Sequence, residues 1–290
     1  MKLRNLIPAR LRKKTATIPV VRLGGVIAAS NSPLSKNLNL ANVAPLLEKA
    51  FGMKHSPAVA LVVNSPGGSP VQSRLIYTRI RELADKHEKK VLVFVEDVAA
   101  SGGYMISLAG DEIFADETSI IGSIGVVSAS FGFDKAIEKI GVERRVYTAG
   151  KNKVSLDPFQ PENEKDINYL KKLQLEIHDV FIAMVKNSRG EKLVEDEDMF
   201  TGRFWTGPTS KNLGLIDGLG HLGTVLKDRF GEKVEITLVQ PRKSLFGRST
   251  AVGINSQLDK IVNTTSFGAD LVDRALDKIE ERFAWSRFGL

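Results

Sequence analysis

Two short apolar runs decide what this chain can fold into. AVALVVN at residues 58–64 and VLVFVE at 91–96 show no alternation of apolar and polar positions, and each is soon followed by paired glycines and a helix-period pattern. A strand that is apolar on both sides has to be covered on both sides, which is the situation of strands in a parallel sheet flanked by helices. Residues 18–27 read as an earlier strand, 42–51 as a helix, and 71–87 as a second helix with Leu75, Ile76, Ile80 and Leu83 inward. DEIFAD, at 111–116, reads as a further strand after a short helix. The recurring order of strand, glycine turn and helix argues for an α/β fold with right-handed crossovers. In such folds, sites collect at the carboxyl ends of the strands. Both Gly67-Gly68 and Gly102-Gly103 fall there.

Composition removes several chemistries. The chain has no cysteine, so disulfides, thiolate metal sites and cysteine nucleophiles are excluded. Its histidines, His55, His87, His178 and His221, lie in no metal-ligand pattern such as HExxH and read as surface or packing residues. No metal or cofactor is expected. The net charge is +7, and the opening MKLRNLIPARLRKK is basic with no acid, while Leu3, Leu6, Ile7 and Leu11 would share a face if it coils. Such an arm is able to lie on an anionic membrane surface, or to remain a solvated terminus. The apolar stretch that follows is interrupted by Arg22 and Gly24-Gly25, which argues against a secretory signal. No segment approaches the ~18 uninterrupted apolar residues of a transmembrane helix. At the other end, LVDRALDKIEERFAWSRFGL repeats Leu271, Ala275, Ile279 and Phe283 at helical spacing.

Ser101, in VEDVAASGGYMIS, sits after a strand and before a helix, among small residues. That is where a nucleophile would be seated, but a serine hydroxyl needs a base to take its proton. The two glycine turns could each supply a backbone N–H to the oxyanion of a tetrahedral acyl-transfer intermediate. Neither carries the GxGxxG or GxxxxGK[ST] pattern, so a nucleotide site is disfavoured. For the base, RVYTAGKNKVSLDPF places Lys151 and Lys153 after a strand and a glycine. A lysine serves as a base only where burial or a positive field lowers its pKa toward the working pH. In an extended segment residues two apart point the same way, so spacing leaves both lysines open.

NSPGGSPVQS (64–73), AASGGYMIS (99–107), IGSIGV (121–126), AGKNK (149–153) and GRFWTGPTSKNLGLIDGLG (202–220), in that order, resemble the signal peptide peptidase A group of serine proteases. The resemblance implies a ClpP/crotonase-like fold: a repeated ββα superhelix with a mostly parallel sheet, here with a C-terminal helical extension. It implies Ser101 as nucleophile, Lys153 as general base, Ser123 orienting that lysine, and the N–H groups of Gly68 and Gly102 as the oxyanion hole. Asp217 is left as a turn residue, because a Ser-Lys dyad needs no carboxylate. The implied division is a basic arm at 1–16, a peptidase domain at 17–235 and an extension with an amphipathic helix at 236–290. The family's short members carry both dyad partners in one chain and form rings, so a homo-oligomer acting on peptides is expected, with no nucleic-acid partner. Many members carry an N-terminal membrane anchor, whereas this chain offers only the basic arm. The expected location is therefore cytoplasmic, with at most peripheral contact at the inner face of the bacterial inner membrane. A catalytically idle peptide-binding or scaffold member of the same fold is the alternative. An acyl-CoA enzyme of the crotonase type would have the oxyanion hole without the Ser-Lys pair.

Overall fold

The computed structural model describes residues 15–29, 37–240 and 282–290. The basic arm up to residue 14, and Leu271, Ala275 and Ile279 of the C-terminal stripe, lie outside the described residues.

The first half alternates as expected: β1 (Thr17–Gly24), α1 (Leu40–Phe51), β2 (Ala58–Ser65), α2 (Pro70–His87), β3 (Lys90–Ala100), α3 (Gly102–Ser107), β4 (Glu112–Ala115) and β5 (Ile120–Gly122). Then come α4 (Asp134–Lys139), α5 (Glu164–Arg189), β6 (Phe204–Thr206), α6 (Gly207–Asn212), β7 (Gly218–Leu219), α7 (Leu222–Phe230) and β8 (Glu235–Leu238). One sheet runs β6-β5-β3-β2-β1-β8, with β4 beside β3 and β7 beside β4. Its pairings are parallel except for β5 with β6. The α/β class with a mostly parallel sheet is therefore the one expected, and the division expected at 235/236 falls inside β8.

The unalternating runs are explained by their two covers. Val91, Val93 and Val95 face a core shared with Leu47, Phe51, Ile76 and Ile80 of α1 and α2, while Leu92 and Phe94 face a second core with Leu226 of α7. Leu75 does not join them. It is largely exposed, because Ser73, Ile76, Ile80, Leu83 and Ala84 already form the inward stripe of α2. The first strand stops at Gly24, short of the expected end. Gly25 turns the chain with φ 97°, and Ile27 returns as an isolated parallel bridge to Leu38 and Gly68.

β3 changes partners part-way. Val63 pairs with Val95, but Ser65 pairs with Ala99, so β3 spends two more residues than β2 between these points. Before this bulge β3 pairs with β4, and after it with β5. Beyond the bulge, Val98 and Ala100 pack against Phe288 and Trp285 of the C-terminal segment, and Phe288 meets Phe204 edge-on at 5.1 Å. Phe283 stays exposed.

The segment after β5 is different in kind. From Gly125 to Val180 no residue is buried as a whole. It has a small cluster of its own, in which Phe133 and Phe159 lie 5.6 Å apart, the Arg144 guanidinium sits 4.8 Å above the Phe159 ring, and Arg144 pairs with Asp157 at 2.9 Å. The strand expected before Gly150 is absent: residues 142–148 pair with nothing in the sheet. No helix among the described residues is long and apolar enough to cross a membrane.

Candidate active site

The site is built where β3 and β5 end side by side. Ala100 pairs with Gly122, and the next backbone N–H, that of Ser101, donates to the Gly122 carbonyl at 2.8 Å. Ser101 and Ser123 thus leave adjacent parallel strands at the same level. Both turn sharply, with φ of 51° and 52°, a region that non-glycine residues adopt only when their surroundings hold them there. Ser123 is buried, its N–H donates to the Arg203 carbonyl at 2.7 Å, and its hydroxyl has no hydrogen bond among the described residues.

Ser101 opens α3, whose first turn is closed by Met105 N–H on the Ser101 carbonyl at 2.9 Å. That helix is anchored from behind. The Tyr104 hydroxyl donates to the Leu215 carbonyl at 2.7 Å, and burial pushes its phenol pKa well above the ordinary value. The SPGG turn presses against the same point: a Cβ placed on Gly67 would fall 2.8 Å from the Ser101 Cβ. Among the described residues, the Gly68 and Gly102 N–H groups have no hydrogen-bond partner. A hydroxyl on a held turn beside two unclaimed N–H groups is equipped to form an acyl-enzyme and to receive its oxyanion.

Of the five residues expected in the site, this single chain gathers Ser101, Ser123, Gly68 and Gly102. No hydrogen bond or ion pair among the described residues ties Lys153 to them. This lysine lies in the turns at 151–156 of the exposed segment and is itself exposed. Lys151 lies in the same turns and is likewise exposed, so the extended geometry that left the two lysines equivalent is not present.

Two neighbours were not legible as parts of this framework. The His178 Nε2 lies 3.1 Å from the Ile124 carbonyl, which ties α5 to the residue after Ser123. Asp217 is more than a turn residue. Its carboxylate accepts from Arg189 at 2.8 and 3.1 Å, from Lys192 at 2.7 Å and from the Ile113 N–H at 2.8 Å, fixing the end of α5 to the start of β4. Burial pushes this carboxyl up, but the bonds from Arg189, Lys192 and Ile113 outweigh it and hold its pKa below the ordinary value. Its partner Arg189 is twenty-eight positions away in sequence, so only the fold reveals the pair.

A mostly parallel α/β sheet with Ser101 and Ser123 at the ends of adjacent strands gives the class of scaffold, and sequence comparison supplies the family. The profile of peptidase family S49 matches residues 84–234, just over half of the chain. The chain belongs to peptidase family S49. It is 58% identical over 289 residues to a Brucella abortus protein named Na(+)/H(+) antiporter NhaA, covering 99% of this chain and 39% of that one. It is 32% identical to the chloroplastic serine protease SPPA of Arabidopsis thaliana, over 72% of this chain and 31% of that protein. It is also 32% identical to protease 4 of Haemophilus influenzae, over 70% of this chain and 32% of that protein. The chain thus spans between about a third and two-fifths of the length of these relatives.

Proposed function

We propose that this chain is a serine endopeptidase that cleaves peptides, with signal-peptide remnants and other short membrane-derived or cytosolic peptides as its substrate class. Ser101 attacks the scissile carbonyl, the Gly68 and Gly102 N–H groups receive the oxyanion, and Lys153, oriented by Ser123, takes the hydroxyl proton and returns it to the leaving amine. What supports this reading is that Ser101 and Ser123 leave adjacent strands at one level, and that the Gly68 and Gly102 N–H groups, in the turns after β2 and β3, have no partner among the described residues. Family membership supports it, as do relatives named as proteases. The chemistry uses only side chains and backbone groups.

The exposed position of Lys153 makes assembly part of the proposal. The segment that carries it also exposes the apolar side chains of Phe131, Ile140, Tyr147, Tyr169 and Leu175, which a second protomer would cover. In this reading the chain forms a closed homo-oligomer, and packing between copies brings Lys153 to a serine. The second reading, an idle peptide-binding member of the fold, is favoured by one observation: Lys153 is exposed, and its ammonium makes no hydrogen bond to either serine among the described residues.

Mass mapping of the products from a peptide library, run beside Ser101→Ala, separates the two readings. Cleavage by the native chain alone supports the peptidase, whereas no cleavage by an assembled native chain leaves the idle member. Mixing Ser101→Ala with Lys153→Ala protomers before assembly then locates the base. Recovered activity assigns the lysine to a neighbouring protomer, and none assigns both groups to one chain.

A further inference from the structure

The donor at Gly68 is useful only if its N–H is aimed, and the backbone around it shows what aims it. Gly67 carries φ 107° and Gly68 φ 138°, so neither is held by ordinary steric preference. The Gly67 carbonyl accepts from the Ile27 N–H at 2.8 Å, and the Ser69 N–H donates to the Ile27 carbonyl at 2.7 Å. In a trans peptide, the carbonyl and the following N–H point to opposite sides. Pinning the Gly67 carbonyl to Ile27 therefore turns the Gly68 N–H away from Ile27.

The plane on the other side of Gly67 is held by a side chain. The Gly67 N–H donates to the Ser65 hydroxyl at 3.2 Å, and that hydroxyl donates to the Gly25 carbonyl at 2.7 Å. Ser65 is fully buried, and its main chain also abuts the nucleophile helix: a Cβ on Gly103 would fall 2.5 Å from the Ser65 carbonyl oxygen. One residue thus touches the Gly25 turn after β1, the turn that carries the first donor and the helix that carries the second.

We propose that Ser65 is a positioning residue for the oxyanion hole, its hydroxyl holding the Pro66–Gly67 peptide plane and so fixing the turn from which the Gly68 N–H is aimed. The proposal rests on the peptidase reading above. A group that acts only by aiming a donor should matter where negative charge develops and little where the intact peptide binds.

The test compares Ser65→Ala with Ser56→Ala, another buried serine, whose hydroxyl donates to the Ala58 carbonyl at 2.6 Å near the opposite end of β2. For Ser65→Ala the expected result is a fall in kcat of about tenfold or more, short of the ~100- to 1000-fold cost of deleting a donor outright. KM should stay within about twofold, and affinity for a peptide aldehyde, whose adduct with Ser101 carries the oxyanion, should fall in step with kcat. Affinity for the uncleaved peptide, measured in a Ser101→Ala background, should be unchanged. Ser56→Ala should keep native kcat and KM. If Ser65→Ala does not fold, Ser65→Cys, which fills the site with a slightly larger atom that is a weak donor and acceptor, carries the same comparison. Native kcat and aldehyde affinity in a folded Ser65 variant overturn the proposal while leaving the peptidase reading intact. A native chain that neither cleaves peptides nor binds the aldehyde overturns both.

Discussion

The strands that end at Ser101 and Ser123 and the segment that carries Lys153 belong to one proposed mechanism, but they are built by different means. The first set is fixed by a parallel sheet covered on both faces, down to individual peptide planes. The second is an excursion without a buried residue, held by a local aromatic and ion-pair cluster. In the proposed mechanism, Ser101, Gly68 and Gly102 would owe their positions to protomer folding, while the residue assigned as base lies in a segment with no buried residue of its own. The comparison would break most visibly at Ser101. Ser101→Ala should lower peptide turnover by about three orders of magnitude or more, because every later step passes through the acyl-enzyme, and it should leave the fold intact. Turnover and circular dichroism measured together check this, and normal turnover would remove Ser101 from the chemistry.

On the exposed side, the two lysines separate the base from its neighbour. Lys153→Arg should reduce activity by about 100- to 10,000-fold, the span of general-base contributions, because a guanidinium keeps its proton throughout the working range. Lys151→Arg should be nearly native. A lysine base has to be neutral to act, so the native rate should climb through mildly alkaline pH, whereas a histidine base, with an ordinary pKa of about 6.5, would be near its plateau at pH 7. A plateau by pH 7 with an active Lys153→Arg variant excludes a lysine base. Loss in Lys151→Arg alone assigns the role to that residue.

The two regions also differ in how far sequence alone reveals them. AVALVVN and VLVFVE announce buried parallel strands because a lack of alternation has only one physical remedy, and the paired glycines mark where those strands end. From this, the turns that hold Ser101, Gly68 and Gly102 are all legible as lying at the carboxyl ends of strands. Leu75 was misplaced because helical spacing permits a wide stripe and only packing decides its edge. The residues before Gly150 read as a strand because RVYT has β-forming side chains, but such propensity makes a strand only where a neighbouring strand pairs with it, and residues 142–148 pair with nothing in the sheet. Asp217 was invisible for a related reason. A buried carboxylate and a turn aspartate look alike until a distant Arg189 arrives.

That hidden pair tests the core side of the comparison through stability. The Arg189 side chain is 1% exposed and that of Asp217 13%. Asp217→Asn leaves a buried guanidinium without its charge partner and should cost about 3–5 kcal/mol in denaturant unfolding. Because folding lowers the Asp217 pKa, the folded chain binds fewer protons than the unfolded one at acid pH. Its contribution is complete above the unfolded carboxyl value of about 3.9 and is lost as pH falls through the lower folded value. Native protein should therefore lose stability over that acid window more steeply than Asp217→Asn. Parallel curves for the two proteins would mean that the network does not hold α5 to β4.

The smallest expected change in protomer stability lies on the excursion. Tyr147 is 90% exposed, so Tyr147→Ser removes no contact within the core and should shift the stability of the isolated protomer by no more than about 0.5 kcal/mol. If the apolar surface around Lys153 is where copies meet, the same substitution should weaken assembly, since an aromatic ring at an interface contributes far more than one in solvent. Sedimentation of native and Tyr147→Ser protein over a concentration series reads the association directly, beside thermal melts taken at low concentration. Weaker association with an unchanged low-concentration melt would place the contact on the excursion. Equal association would move the interface elsewhere and remove assembly through this surface as the means of bringing Lys153 to the serine.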